Sequence, residues 1–435
     1  MTKDLFDPGS TMSFADRVTL QNFEGAGRLA IVTNTHAPTV TIVGMVQGGT
    51  AMVTDGRFSV PGITAAMLDR GTAEFSRMAL ARELEDHGLQ LDIRNSGSAP
   101  ASVSFTMQGL AEGLPRMARI LASVLRRPSF PDDELEKVRE RILGILQHER
   151  QDTSSVAFGQ LTRMIYPPGH PQRRREVDLR ETEVRSVTRD DLELFHTRHY
   201  GGRSLVCAVV GDVEEHSVQQ LLGDALFGWG AETTTLPPTP NIPLGEPGRI
   251  DTPLPDRPNL DVFLGHAGRL LLGDDDYAAA VLANSCLGQS TLTSRLGVAV
   301  RDKAGLTYGI NSAFVGTLQI PGPWVISLSV GPENLDRALI LCRQVLKDFL
   351  ESGPTEAELD DERLAWAGGY KVGLATNAGV AMELVKTLLT GQAISRMDLF
   401  PNEVLTVGRD TVTQALRRHI DPDRLTVSVA GTLEE

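Results

Sequence analysis

The feature that most constrains this chain is that one passage occurs in it twice. VTRDDLELFHTRHYGGRSLVCAVVGDVEE, Val187 to Glu215, lies without gaps on VGRDTVTQALRRHIDPDRLTVSVAGTLEE, Val407 to Glu435, with about ten of the 29 positions identical. The identities include Arg189 with Arg409, His199 with His419 and Gly211 with Gly431. A second anchor agrees: ELEDHGLQLDI from Glu83 matches VRDKAGLTYGI from Val300 around Gly88-Leu89 and Gly305-Leu306. A single long period implies two similar domains of ~220 residues rather than a solenoid of short repeats. Between the halves, the Pro-, Thr- and Gly-rich stretch from Thr233 has the composition of a semi-rigid linker, with the boundary near Pro237 to Gly248. The expected division is 1–232, a linker over 233–249, and 250–435.

Periodicity gives each half the order strands, helices, a strand pair, several helices, and a closing strand. In the first half, Leu29 to Val32 and Val40 to Val46 read as strands, and Thr64 to Arg70 and Arg77 to Asp86 as helices. Leu89 to Ile93 pairs with Ser102 to Met107, helices follow at Leu114 to Leu125, Asp133 to His148 and Asp190 to Arg198, and Leu205 to Val210 closes the sheet. The second half repeats this, from the strand at Leu260 through the pair Thr307 to Phe314 and Trp324 to Val330, to the last strand at Leu425. Strands and helices in blocks, without strict alternation, predict an α+β fold: two homologous domains, each a mostly antiparallel sheet packed with helices.

A net charge of -14 argues against nucleic acid as partner, because phosphate binding needs clustered Lys and Arg. No stretch approaches the ~20 apolar residues of a spanning helix, and Met1 to Pro8 lacks the apolar core of a signal peptide. The expected location is the cytoplasm, or the periplasm if a leader has been removed. Cys207, Cys286 and Cys342 form no CxxC pair and read as small buried residues.

LGQSTLTSRLGVAVRDKAGLTYGI, Leu287 to Ile310, carries the densest chemistry. It reads as helix, turn, strand: the helix ends at Arg301, Asp302 and Lys303, Gly305 supplies the left-handed stop, and Leu306 to Ile310 run extended. Arg301 thus leaves a helix end while Tyr308 sits on the following strand, and a permanent cation and a phenol converging there could grip a peptide backbone. The plainer reading is a solvated cation favourable to the helix dipole and an ordinary strand aromatic.

As SRL…RDKAGLTY, with Ser294, Arg295, Leu296, Arg301, Gly305, Leu306 and Tyr308 in register, the stretch resembles the arginine and tyrosine motif in the C-terminal domain of the pitrilysin/insulinase metallopeptidases. The resemblance extends to the two-domain organisation, so it covers nearly the whole chain. Peptide-hydrolysing members carry H-x-x-E-H on a helix near the N-terminus, since histidines at i and i+4 share a face and converge on one zinc ion. Here the similar helix is GITAAMLDRGT, and the three motif positions fall on Gly62, Ala65 and Ala66. None binds a metal or moves a proton, and Arg141 to Leu146, where a third ligand would sit, contains no carboxylate. His196 and His199 are a close His pair, but helical i,i+3 histidines are usually surface residues or caps. GxSxG is absent, and RRRE from Arg173 reads as a solvated loop rather than a phosphate site.

The resemblance implies the non-metal-binding subunit of a heterodimeric zinc metallopeptidase. No cofactor is expected in this chain, and the zinc belongs to a homologous H-x-x-E-H partner that cleaves oligopeptides. Arg301 and Tyr308 are the expected catalytic pair, and Gly288, Gln289 and Ser290 a short substrate-binding loop. The alternatives are the C-terminal part of a longer enzyme, a structural core subunit in which the pair has no catalytic work, and a peptide-binding scaffold without hydrolysis.

Overall fold

A computed structural model describes residues 13–25, 27–95, 99–230, 236 and 245–433. The expected linker, 233–249, therefore lies largely outside the described residues.

The first sheet contains β1 (Thr19–Asn22), β2 (Arg28–Thr33), β3 (Thr39–Gln47), β4 (Gln90–Asn95), β5 (Ser102–Leu110) and β6 (Val206–Gly211), in the order β1-β2-β6-β3-β5-β4. The second contains β7 (Arg249–Pro253), β8 (Leu260–His266), β9 (Thr307–Phe314), β10 (Trp324–Val330) and β11 (Thr426–Gly431), in the order β7-β11-β8-β10-β9. Each has one parallel pair, β2 with β6 and β7 with β11, and is otherwise antiparallel. Without β1, the two orders are the same arrangement, which is the duplication in three dimensions.

The repeated 29-residue passage builds matching elements. The helices Arg189–His199 and Arg409–His419 precede β6 and β11, every residue of which is buried. Both strands end in a glycine at positive φ, Gly211 at 155° and Gly431 at 148°. A Cβ there would sit 2.2 Å from the Thr39 carbonyl oxygen in one case and 2.7 Å from Leu260 in the other. The sheet can be entered so closely only without a side chain, which accounts for the identity of this position in both copies.

Compact unit 1 comprises Met1–Leu143, Arg180–Pro238 and Tyr370–Leu399; unit 2 comprises Gly144–Leu179, Thr239–Gly369 and Phe400–Glu435. Apart from Arg249, both sheets fall inside the continuous ranges 1–232 and 250–435, but the helices do not. Thr153–Ile165, from the first half of the sequence, covers β8 and β11, while Asn377–Leu389, from the second half, covers β3 and β6. In unit 2, Leu161, Ile165, Tyr166 and Val325 form one buried cluster of this packing. The exchange is reciprocal, so each sheet is completed by a helix that is distant in sequence.

Candidate functional site

In unit 2 the helix Tyr277–Asn284 runs on into a wide turn, Ser285–Gln289, and after the 290–294 loop a helix opens at Arg295 and widens over Gly297–Lys303 before β9. Its last turns are loose: the Ala304 N–H donates five residues back to Ala299 (3.2 Å) and the Leu306 N–H six back to Val300 (3.0 Å). Gly305, at φ 63°, makes the reversal. The first half does the same with Gly88 at φ 60° between Arg77–Glu85 and β4. Wide turns of this kind recur at functional sites in helical proteins.

β9 is an edge strand with a bulge. Ile310 pairs with Leu328 and Thr307 with Val330, so two residues, Tyr308 and Gly309, stand opposite Ser329 alone. The Thr307 hydroxyl pins the bulge, donating to the Ser329 carbonyl (2.7 Å) and accepting from the Gly309 N–H (3.1 Å). The outcome is a Tyr308 side chain that is 97% exposed. Its backbone carbonyl is taken by Arg301, whose Nε donates to it at 3.2 Å, while Nη1 pairs with Asp302 Oδ1 at 2.6 Å. The structure thus brings Arg301 and Tyr308 together through the tyrosine backbone. The phenol is left to solvent, and Arg301 keeps about a third of its side chain exposed.

The rest of the recognised stretch is structural. Ser294 donates to the Ser290 carbonyl and its hydroxyl accepts from the Gly297 N–H at 3.2 Å, tying the loop to the helix start. Leu296 is fully buried. Arg295 grips Glu358 with two bonds, Nε to Oε1 at 2.7 Å and Nη2 to Oε2 at 2.8 Å, and lies 4.8 Å from the centroid of Phe349. Glu358 also accepts from the Thr355 N–H and hydroxyl. Burial alone would raise this carboxyl, but the Arg295 and Thr355 hydrogen bonds outweigh it and bring the pKa down to about 2.

Gly288, Gln289 and Ser290 do not form an open loop. Gly288 is buried, and a Cβ would meet the Ser312 hydroxyl at 2.5 Å. The Gln289 carbonyl accepts from Asn311 Nδ2 (2.9 Å), and the Ser290 hydroxyl accepts from the N–H groups of Leu292 and Thr293. The exposed Gln289 side chain and the half-buried Ser290 are what this turn presents.

Beneath it lies a residue sequence reading missed. Asn284 Oδ1 accepts from the Ser312 hydroxyl and Trp324 Nε1, both at 2.9 Å, and its Nδ2 donates to the Ser312 carbonyl at 2.9 Å. With Trp324 fully buried, this network fixes β9 and β10 to the helix that precedes the site. Its sequence signal is slight. The bulge, also unread in the sequence, had a signal that could have found it: Gly309, a glycine inside a strand pattern.

In unit 1, Gly62, Ala65 and Ala66 lie on the helix Val60–Met67. Its neighbours are β4 and the helix Arg189–His199. The three positions offer no nitrogen, oxygen or sulfur side-chain donor, so zinc does not fit there. His196 is buried, with Nε2 2.8 Å from the Leu125 carbonyl, and burial lowers its pKa; His199 turns to Phe195. Among the described residues no group of three His, Cys, Asp or Glu side chains is placed to hold a metal ion. RRRE differs from a solvated loop: Arg173 caps the helix Thr153–Ile165 through the Tyr166 carbonyl (2.6 Å), and Arg174 pairs with the buried Glu149 (3.1 Å).

Residues 29–173 match the family described as insulinase (peptidase family M16), and residues 186–365 match the peptidase M16 inactive domain. The probable mitochondrial-processing peptidase subunit beta of Arabidopsis thaliana is 22% identical over 431 residues, 94% of this chain and 77% of that protein. The mitochondrial cytochrome b-c1 complex subunit 1 of Mus musculus is 28% identical over 195 residues, 45% of this chain but 39% of that protein, so the matched part is well under half of that relative. The crystal structure of a peptidase M16 inactive domain from Pseudomonas fluorescens superposes with a TM-score of 0.85 at 23% identity, covering 95% of this chain and 98% of that one. With its duplicated α+β sheets and both halves matched, this chain belongs to the M16 (pitrilysin/insulinase) peptidase family and carries the fold of its inactive domain.

Proposed function

We propose that this chain is the non-metal-binding subunit of a two-chain peptidase, supplying Arg301 and Tyr308 to a homologous H-x-x-E-H subunit that cleaves oligopeptides. The observation that carries this reading is the phenol of Tyr308, aimed to solvent by a pinned bulge on an edge strand, with a guanidinium tethered to the same residue's carbonyl. A side chain of that size left 97% exposed gains nothing from the fold. In the paired enzyme the Tyr308 hydroxyl donates to the oxyanion developing at the scissile carbonyl, and Arg301 donates to a neighbouring peptide carbonyl. The hydrolytic metal resides in the partner, because Gly62, Ala65 and Ala66 offer it no donor. A relative named as a processing-peptidase subunit supports an assembly of chains.

The test is to mix this chain with an H-x-x-E-H homologue and follow a quenched peptide. Activity present only in the mixture, and reduced ~10²-fold by Tyr308→Phe, is the expected result. A mutant mixture as active as the wild type refutes the assignment. A second reading, a silent core subunit of a larger complex, is favoured by the match to a cytochrome b-c1 complex subunit. It predicts copurification with other chains and no peptide cleavage by any mixture.

A further inference from the structure

We infer that unit 2 holds a binding site for a phosphate-bearing anion, in the cleft between the end of β8 and the turn that joins the helix Arg409–His419 to β11. The cleft measures about 280 Å³ and is lined by Arg269, Arg417, Arg418, Arg424, His266 and His419, with the Asp421 carboxylate the one acidic side chain in its wall. A chain of net charge -14 has no general surplus of cations to distribute, so four guanidiniums around one cleft form a local field opposite in sign to the whole.

Two of these arginines are engaged by the fold. Arg417 donates to the Leu350 and Glu351 carbonyls at a helix end, both at 2.9 Å, and Arg418 pairs with Asp276 at 2.9 Å. Arg269 and Arg424 make no ion pair and no side-chain hydrogen bond among the described residues. Asp421 makes no ion pair with them; its Oδ1 accepts from the Asp423 N–H at 3.0 Å, and its single charge is outnumbered by the guanidiniums. His266 is a neutral wall: the Asp421 N–H donates to its Nε2 (3.1 Å), so the proton sits on Nδ1, which faces the Ala267 carbonyl (3.0 Å). His419 is different. Its side chain is 5% exposed with Nε2 3.1 Å from Asp276 Oδ2, while Nδ1 is buried and without any hydrogen-bond partner. Nε2 carries the proton that faces Asp276, so Nδ1 adds no free donor to the cleft, and the guanidiniums are what an anion there would meet.

The duplication acts as an internal control. The same helix, turn and strand are built in the first half with Thr197 where Arg417 stands and Ser204 where Arg424 stands; Arg198 and His199 are shared with Arg418 and His419. The fold therefore does not need a guanidinium at the position of Arg424; the arginine of the first turn, Arg203, stands one residue earlier and pairs with Glu24. Phosphate is favoured over a single carboxylate because two free planar forks present more donors than one carboxylate accepts.

The cleft shares no residue with Arg301 and Tyr308, so this inference and the peptidase reading fail independently. The test is calorimetric titration of the full chain with inorganic pyrophosphate at low salt, with ADP as a second arm. Saturable one-to-one binding is expected, weakened about tenfold or more by Arg269→Ala and by Arg424→Ala separately, and unaffected by Arg82→Ala on unit 1. Equal affinity for the two ligands assigns the site to the phosphate group itself, and tighter ADP assigns it to a nucleotide phosphate. Absence of saturable binding by the wild type overturns the inference, as does an R269A/R424A variant that binds pyrophosphate like the wild type. Because Arg269 is exposed and unpaired, its single variant keeps the test readable if the double variant is unstable.

Discussion

Arg295 and Arg301 are six positions apart in one recognised motif, yet the structure gives them opposite work, and replacing each separates the two. Arg295→Ala removes the two-bonded pair with Glu358, the contact over Phe349, and the Nη2 donation to the Gly353 carbonyl at 3.2 Å. Glu358 drops from 4.5 to about 2 in the folded protein, in all about 3.4 kcal/mol at 1.36 kcal/mol per unit, of which Arg295 supplies the larger part and Thr355 the rest. Glu358 is 32% exposed and Arg295 25%, so solvent reduces this to about 2 kcal/mol; the aromatic contact adds about 0.5 kcal/mol. For a unit of this size about 2–4 °C is lost per kcal/mol, so the variant should melt about 5–10 °C below the wild type at neutral pH. The pH dependence follows from the sign. A carboxyl whose folded pKa is depressed contributes fully above the unfolded value of 4.5 and loses that contribution as pH falls toward about 2. The gap between wild type and Arg295→Ala should therefore be constant from pH 7 to about pH 5 and shrink as pH falls toward about 3. Thermal unfolding in parallel buffers reads both. A variant that melts with the wild type, or a gap that persists undiminished at about pH 3, refutes the assignment of Arg295 to a structural latch.

Arg301→Ala and Tyr308→Phe should each change stability by less than about 0.5 kcal/mol in urea unfolding, because neither side chain is buried, while still lowering turnover of the mixed enzyme. Asn284→Leu should cost about 3 kcal/mol, since it leaves the Ser312 hydroxyl and Trp324 Nε1 without their buried acceptor, and an exposed Trp324 would appear as a red-shifted fluorescence maximum. Gly305→Val should destabilise unit 2 by about 1–2 kcal/mol from backbone strain at φ 63° alone, since no atom lies near its missing Cβ; a neutral result in urea unfolding would show that the turn can move.

The sheets were legible in the sequence because a buried strand shows its burial in its own residues. LVCAVV before Gly211 and LTVSVA before Gly431 are apolar or small nearly throughout, and both strands are buried at every position. What was not legible is where a helix docks. Thr153–Ile165 has an apolar face that declares it must be covered, but nothing in that face names β8 and β11 rather than the nearer first sheet. The same holds for Asn377–Leu389. How much of the Gly288-Gln289-Ser290 turn is open was not legible for a related reason. Polar residues between two elements look like a binding loop, but here Asn311, Leu292 and Thr293 use the turn's own acceptors, and only coordinates reveal which polar groups are spent.

Aligned on Gly88 and Gly305, Leu84 and Leu91 occupy the positions of Arg301 and Tyr308. Both copies make the same reversal, with φ 60° and 63°, and both lead into an edge strand, β4 and β9. The reversal and the edge strand are thus built with leucines in the first copy, where the strand runs without a bulge, so neither the turn nor the strand by itself requires an arginine and a tyrosine. The glycines that the backbone does require are identical in both copies. The second copy adds a bulge at Tyr308 that β4 lacks at Leu91, so residue and local backbone differ together there, whereas Arg424 and Ser204 end the same short turn. If Leu91→Tyr with Leu84→Arg, placed on the first copy, left stability unchanged within about 0.5 kcal/mol, the fold's indifference to these positions would be measured directly. A large loss would mean that each copy had already committed them to its own packing.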